Sequence, residues 1–361
     1  MLPYLRDHPA DPGRVHSDGK ITRVAIEAAR EQVAALFGAR PREVVFTATG
    51  TEAVNTAVWG GVAKGLEQLG STQGHVVTTA VEHSAVLDAC RRAPVEITEV
   101  GVDGVGRFQA GAVVAAIRPD TVLVSVQLAN HEVGTVQTAV NSIVAAARER
   151  GVLTHVDACM AGGHLGVDVA AIGADLCSVT AHKLGGPKGA AALFVRRGLR
   201  VPPLIVGGSQ ERARRGGIEN VAAIVGFGAA AAELAEDGRL DREAATARAL
   251  TDRLAAGARS VEGVVQYGDP VDRVAHLVCL GVAGVEAEPI LLGLDQRGVA
   301  VHSGSSCSSE ALEPSPVLMA MGVDADKSLR ASVGWSSTDA DVDAFLAAFP
   351  DVVANLRSLR G

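Results

Sequence analysis

The stretch "DLCSVTAHKLGGPKGAAALFVR" occupies residues 175–196. Its two ends, 175–179 and 191–196, are short apolar runs that read as buried strands. Between them Lys183 follows His182 directly and precedes three glycines and a proline. A solubilising lysine belongs on a helix face. An ammonium group at the mouth of a buried strand, beside residues that let the backbone turn tightly, is positioned for chemistry.

Working outward, further strand-like runs fall at 43–47, 75–79, 95–100, 121–127 and 152–156. Helical patterns at 20–37, 51–68, 83–92 and 137–150 lie between them. Apolar strands separated by helices predict an α/β fold, a mostly parallel seven-stranded sheet covered by helices. From about 218 the texture changes to one or two long alanine-rich helices, and the remainder reads as a smaller α+β domain. The expected division is a large domain over 1–240 and a small one over 241–361 that carries a cysteine loop.

Bulk properties narrow the class. Of 361 residues 48% are hydrophobic but only 3% aromatic, so alanine, valine and glycine must fill the interior and helices must pack close to the sheet. A net charge of −8 speaks against nucleic acid as a partner. No apolar run reaches membrane-spanning length and the first residues lack a signal-peptide pattern, so the expectation is a cytoplasmic protein that does not meet a membrane. Five cysteines without a C-x-x-C pair argue against a disulfide framework and against a metal site.

In open parallel sheets ligands bind beyond the carboxyl ends of the strands. After 43–47 comes "ATGTEA", where Gly50 and Thr51 open a helix and offer N–H groups and a hydroxyl to an anion. An ordinary helix cap would look the same. After 75–79 come Glu82 and His83, after 121–127 come Asn130, His131 and Glu132, and after 152–156 comes Asp157. A buried aspartate there needs a cation or hydrogen bonds. Thr180, His182 and Lys183 complete the edge. An anion cradle, a carboxylate for a pyridine nitrogen, a flat ring to stack and a lysine for a Schiff base are what pyridoxal 5'-phosphate requires.

A second constellation is "SGSSCSSEALEPS", where Cys307 sits among serines and a glycine. Four of the five cysteines read as buried and inert. Cys307 reads as an exposed thiol and a candidate nucleophile, against the alternative of an incidental surface cysteine. Arg330, in the apolar run "LRASVGW", is a candidate carboxylate binder.

With these segments in view, the chain resembles the cysteine desulfurases, class V aminotransferase-like enzymes of the fold-type I pyridoxal-phosphate group. The resemblance runs from about Pro12 to about Asp343 and rests on "VVFTATGTEAVN", "EHSAVLD", "HVDACM", "TAHKLGGPKG", "GGSQERARRGGIEN" and "SGSSCSSEALEPS". It implies Lys183 as the Schiff-base lysine, Asp157 as the pyridine-nitrogen partner and His83 as the stacked ring. Thr51, Thr180 and His182 would hold the phosphate beside Gly50. Asn130, His131 and Arg330 would bind substrate, with Arg330 on its carboxylate, and Cys307 would accept the sulfur. The implied reaction takes L-cysteine to L-alanine and leaves a persulfide for a sulfur-acceptor protein, such as an iron–sulfur scaffold. The implied assembly is a homodimer.

The chain also departs from the family pattern. Met160 replaces a glutamine, His131 an asparagine and Ile218 a threonine that reaches the partner subunit's phosphate, and the family's N-terminal strand has no counterpart ahead of "DPGRVHSDG". Related scaffolds host selenocysteine lyase, C–S lyase and aminotransferase activities. A non-catalytic paralogue that regulates a sulfur-transfer partner is the further alternative.

Overall fold

The computed structural model describes residues 1–303 and 314–359. Cys307 lies outside the described residues. Seven strands, β1 (Val44–Thr47), β2 (His75–Thr79), β3 (Glu96–Val100), β4 (Thr121–Gln127), β5 (Leu153–Asp157), β6 (Leu176–Thr180) and β7 (Ala191–Val195), form one sheet in the order β1-β7-β6-β5-β4-β2-β3. The neighbours from β3 through β6 pair in parallel, while β7 is antiparallel to both β6 and β1. β4 is buried at all seven positions, as its β-branched sequence requires of a central strand covered on both faces. β3, at one edge, is largely solvent-facing and carries Glu96 and Glu99, which discourage pairing with another chain.

The other edge is closed differently. Arg30 is fully buried and makes two 2.7 Å hydrogen bonds to the Glu211 carboxylate. Arg30 also donates to the Val44 carbonyl at 3.0 Å, and Glu211 accepts from the Phe46 N–H at 2.9 Å. The pair thus satisfies the backbone groups that edge strand β1 would otherwise leave open. Glu211, Arg212 and Ala213 all have positive φ, of 48°, 60° and 63°. Each costs ~1–2 kcal/mol for an L-residue, so the segment keeps this shape because Arg30 and Phe46 hold Glu211 in place.

The scarcity of aromatics has a visible consequence. The Gly50–Leu69 helix lies on the sheet through Val54, Val58 and Val62, which pack with Val76, Val122 and Leu123. A Cβ on Gly65 would stand 2.6 Å from Val122 Cβ and 2.7 Å from its carbonyl oxygen. The approach therefore needs glycine.

The chain packs as two compact units, residues 1–100, 109–128 and 138–240, and residues 101–108, 129–137 and 241–361. A linear division at 240/241 would leave 101–108 and 129–137 in the first. They pack with the second because the Asp269 N–H donates to Thr135 Oγ1 at 3.0 Å and Arg107 pairs with Asp269 at 2.9 Å. In that unit β8 (Val264–Tyr267), β9 (Leu277–Val282), β10 (His302–Ser303) and β11 (Ser328–Ser332) form an antiparallel sheet in the order β10-β11-β9-β8. Its core includes Leu254, Leu280, Ile290, Leu329, Phe345 and Phe349.

Gly65→Ala should lower stability by ~1–3 kcal/mol, because the forced shift of Val122 outweighs the helix propensity gained. Gly111→Ala, where a Cβ meets nothing within 4 Å, should not lower it. Thermal melts of both variants check this; equal or reversed effects would contradict the close-packing account.

Candidate active site

Strand direction gathers the site. β2 to β6 run the same way, and two successive antiparallel pairings return β1 to that direction. The segments after β1, β2, β5 and β6 therefore lie along one edge of the first unit's sheet. They bring together the start of the Gly50–Leu69 helix, His83, Asp157 and the short turn Ala181–Lys183.

At the helix start Thr49 Oγ1 accepts from the Glu52 N–H at 3.0 Å. The Gly50 and Thr51 N–H groups lie ahead of the first intrahelical donor, Ala53, which bonds to the Thr49 carbonyl. Glu52, in the first turn, is neutralised by Arg215 at 2.9 Å, so it does not repel an anion. A Cβ on Gly50 would lie 3.1 Å from Cys159 Sγ and 3.3 Å from Thr180 Cβ, so this part of the cradle is tight. Thr180 is buried, and its hydroxyl is 2.9 Å from His182 Nδ1. These groups form a cradle suited to a phosphate.

Asp157 ends β5 with its carboxylate buried. Oδ1 accepts from the Cys159 N–H at 2.9 Å and the Ser178 hydroxyl at 3.1 Å. Behind it runs a buried chain. His155 Nε2 is 3.0 Å from Ser178 Oγ and His155 Nδ1 is 2.8 Å from Ser125 Oγ. Because Ser178 gives its proton to Asp157, it must accept from His155, which fixes the proton on Nε2 and makes Ser125 the donor to Nδ1. Burial works against the Asp157 charge. His155, the Cys159 N–H and thiol, and His83 outweigh it, and the carboxyl sits below its ordinary range. His155 is itself pushed down to about 4 by burial. At neutral pH it is an uncharged bridge; only in acid does it gain the charge that opposes protonation of Asp157.

His83 caps the Ser84–Arg92 helix, its Nδ1 accepting from the Ala85 N–H at 3.0 Å. The cap fixes the ring's orientation and leaves the proton on Nε2. Burial lowers its pKa; Asp157 opposes and Lys183 assists, so these three groups share one electrostatic neighbourhood. Lys183 is half-buried. The chain turns back at once after it: Gly185 has φ 84°, and a Cβ on Gly186 would lie 2.9 Å from the Ala181 carbonyl.

Glu82 serves the fold through one carboxyl oxygen, while Oε2 is buried with no hydrogen-bond partner among the described residues. Its Oε1 accepts from the Thr79 hydroxyl at 2.6 Å and the Gln127 N–H at 3.0 Å, tying β2 to β4. Burial lifts its carboxyl to about 8, so it is protonated at neutral pH. The thiol of Cys159 is also raised by burial and stays a thiol.

The remaining candidates lie in the second unit. Asn130 is buried, and its Oδ1 accepts from the N–H groups of Glu132 and Val133, both at 2.9 Å. His131 is buried, and its carbonyl accepts from Arg330 Nη1 at 3.0 Å. Arg330, on β11, is half-buried, and among the described residues no carboxylate lies within ion-pair distance of it. A guanidinium oriented by a carbonyl can receive a ligand carboxylate. Glu132 is buried, its carboxyl raised to about 7 by burial against the Ser315 hydrogen bond and Arg330. Of the three substituted positions, Met160 and His131 are buried and Ile218 is exposed.

Sequence reading missed His155, Ser315 and the pairing of Glu132. His155 looked like one residue of an apolar strand; only its alternation with Asp157, two positions on, hinted at a shared face. Glu132 and Ser315 are 183 residues apart, and no local pattern links them.

Because the His155 pKa is lowered on folding, an unfolded chain takes up its proton first. Stability is lost through this group as pH falls from 6.5 to about 4 and no further below. His155→Gln, with no proton to gain, should flatten this acid limb in denaturation curves. An unchanged limb would contradict the buried neutral imidazole.

The aminotransferase class-V family model matches residues 1–345. Among curated relatives, the chain is similar to cysteine desulfurase IscS of Methanosarcina thermophila, 38% identical over 370 residues, covering 99% of this chain and 89% of the relative. It is likewise similar to cysteine desulfurase IscS of Dictyoglomus turgidum, 39% identical over 367 residues, with 99% and 91% covered. Among solved structures, a NifS-like protein superimposes with a TM-score of 0.89 at 29% identity, over 99% of this chain and 94% of that one. The chain belongs to the class-V aminotransferase family, among the cysteine desulfurases.

Proposed function

We propose that this chain is a pyridoxal-phosphate-dependent cysteine desulfurase that takes sulfur from L-cysteine onto Cys307. One observation carries the reading: Asp157 keeps its charge at the buried end of β5, while Lys183 follows the end of β6, the strand paired with it. The donor set fits the cofactor. Gly50, Thr51, Thr180 and His182 would hold its phosphate, and Asp157 would hold its ring nitrogen protonated. His83, its ring fixed by Ala85, would stack on the cofactor's face, and Lys183 would carry it. When bound, the cofactor supplies an electron sink for charge developing at the substrate's α-carbon.

The chain's own residues do the rest. Arg330, oriented by the His131 carbonyl, holds the substrate carboxylate. Lys183 removes the α-proton. The Cys307 thiolate attacks the substrate sulfur, an S–S bond forms and the Cβ–S bond breaks. The bonding pair stays with the carbon side, which takes up protons and leaves as alanine. Cys307 is left as a persulfide, so carbon is reduced as sulfur is oxidised and no outside oxidant is needed. An acceptor protein then removes the outer sulfur.

A homodimer is part of this reading. Val206 and Ile218 of the first unit are 76% and 65% exposed. Among the described residues no helix is long and apolar enough to cross a membrane, and the cytoplasm is the setting the reading favours.

Cys307→Ser should abolish alanine formation while the protein still binds the cofactor. Borohydride should fix a pyridoxyl group on the peptide containing Lys183, and Lys183→Ala should lose that label. Alanine release at the wild-type rate from Cys307→Ser, measured by amino-acid analysis, would overturn the assignment.

A further inference from the structure

Strands β2 and β4 part before they end. The ladder pairs them as far as Val77 and Val124, while β2 continues to Thr79 and β4 to Gln127. Thr78, Thr79 and residues 125–127 are all buried, so their backbone groups need partners other than water. Side chains take over from the ladder. The Thr78 hydroxyl donates to the Ser125 carbonyl at 3.0 Å, and Glu82 Oε1 accepts from the Gln127 N–H at 3.0 Å. The Gln127 side chain returns the contact, its Nε2 donating to the Val81 carbonyl at 2.8 Å. The Thr79 hydroxyl closes the turn by donating to the same Glu82 oxygen at 2.6 Å. Glu82, 2% exposed, is thus the point at which the turn 80–83 is fastened to the end of β4.

That fastening lies between two groups of the site. Gln127 stands opposite Asp157 in the ladder of β4 with β5, and the next N–H, that of Leu128, donates to the Asp157 carbonyl at 2.9 Å. His83 directly follows Glu82, and its ring is aimed by its own bond to the Ala85 N–H. The cap sets the ring's rotation, and Glu82 sets where the residue that bears the ring stands. We propose that Glu82 is a positioning residue for the cofactor: by pinning its turn to Gln127 it holds the His83 ring in register with Asp157. The inference rests on His83 as the stacking ring and names the group that places it. The chemistry of the pin suits its place. Both donors reach Oε1, and Oε2 is buried with none among the described residues. A carboxylate with one oxygen bare of donors is costly in an interior, and Glu82 keeps its proton at neutral pH. It therefore pins the turn without setting a second anion against Asp157, which a like charge would push towards protonation.

The test uses the full chain and pyridoxal 5'-phosphate in a double-mutant cycle. Two quantities are measured: cofactor affinity, and the circular dichroism that the protein imposes on the cofactor's visible band. Glu82→Leu removes the pin. It should weaken cofactor binding about tenfold and reduce the dichroism per bound cofactor. Glu82→Gln keeps a neutral acceptor for both donors and should bring both quantities back to within about twofold of wild type. In a His83→Ala background no ring is left to place, and Glu82→Leu should change affinity by less than about twofold. A loss of the same size in both backgrounds overturns the proposal, because Glu82 would then serve the fold generally. Wild-type affinity and dichroism in Glu82→Leu also overturn it. Should Glu82→Leu not fold, Gln127→Ala, which releases the Val81 carbonyl and keeps the backbone N–H, goes through the same cycle and is read by the same outcomes. A His83→Ala protein that matches the wild type in affinity and dichroism overturns the stacking assignment itself, and this inference with it.

Discussion

A charged carboxylate inside a sheet is the constraint around which the first unit is organised. Asp157 has to remain an anion where water cannot reach it. It does so because the next backbone N–H turns back on it and Ser178, on the paired strand, gives it a proton to share. Ser178 can do this only while His155 donates to it, and His155 only while Ser125 donates to His155. Three adjacent strands, β4, β5 and β6, are thereby tied through side chains as well as through their backbone ladders. The parallel arrangement is what makes this possible, since it puts these residues at matching depths and brings the functional segments to one edge.

The rest of that unit solves the problem of holding this edge still with small side chains. Glycine lets the Gly50–Leu69 helix lie almost directly on β4, so the helix start is fixed by contact. The Arg30–Glu211 pair closes the free edge at β1, the strand that leads into that helix. A buried ion pair contributes little net stability compared with apolar packing. Here it satisfies two backbone groups of an edge strand and holds three residues in a conformation that L-residues avoid. In the second unit a single asparagine-clamped turn orients Arg330 from its backbone and ties Ser315 from its side chain.

Much of this was legible in the sequence. β-Branched runs marked all seven strands of the large sheet to within a residue or so, because each is long enough, apolar and bounded by turn residues. The candidates at one edge followed from a rule about parallel sheets. Their convergence in space depended on β7 running against its neighbours, which no residue of β7 announces. Local spacing also could not reveal Asp269 meeting Thr135 and Arg107, the contacts that draw 101–108 and 129–137 into the second unit. His83 shows a different limit. Its place was readable from "EHSAVLD", but its fixed tautomer comes from capping a helix. The long-range pairs, Arg30 with Glu211 and Glu132 with Ser315, join residues 181 and 183 positions apart, which no local spacing reveals.

The central claim is that Asp157 is a permanent anion that keeps the cofactor's ring nitrogen protonated. Nitrogen NMR of the holoenzyme carrying ring-labelled pyridoxal phosphate measures this directly. The account predicts the shift and the one-bond proton coupling of a pyridinium at neutral and mildly alkaline pH, both lost in Asp157→Asn. An unprotonated ring nitrogen in the wild-type enzyme at neutral pH would contradict it.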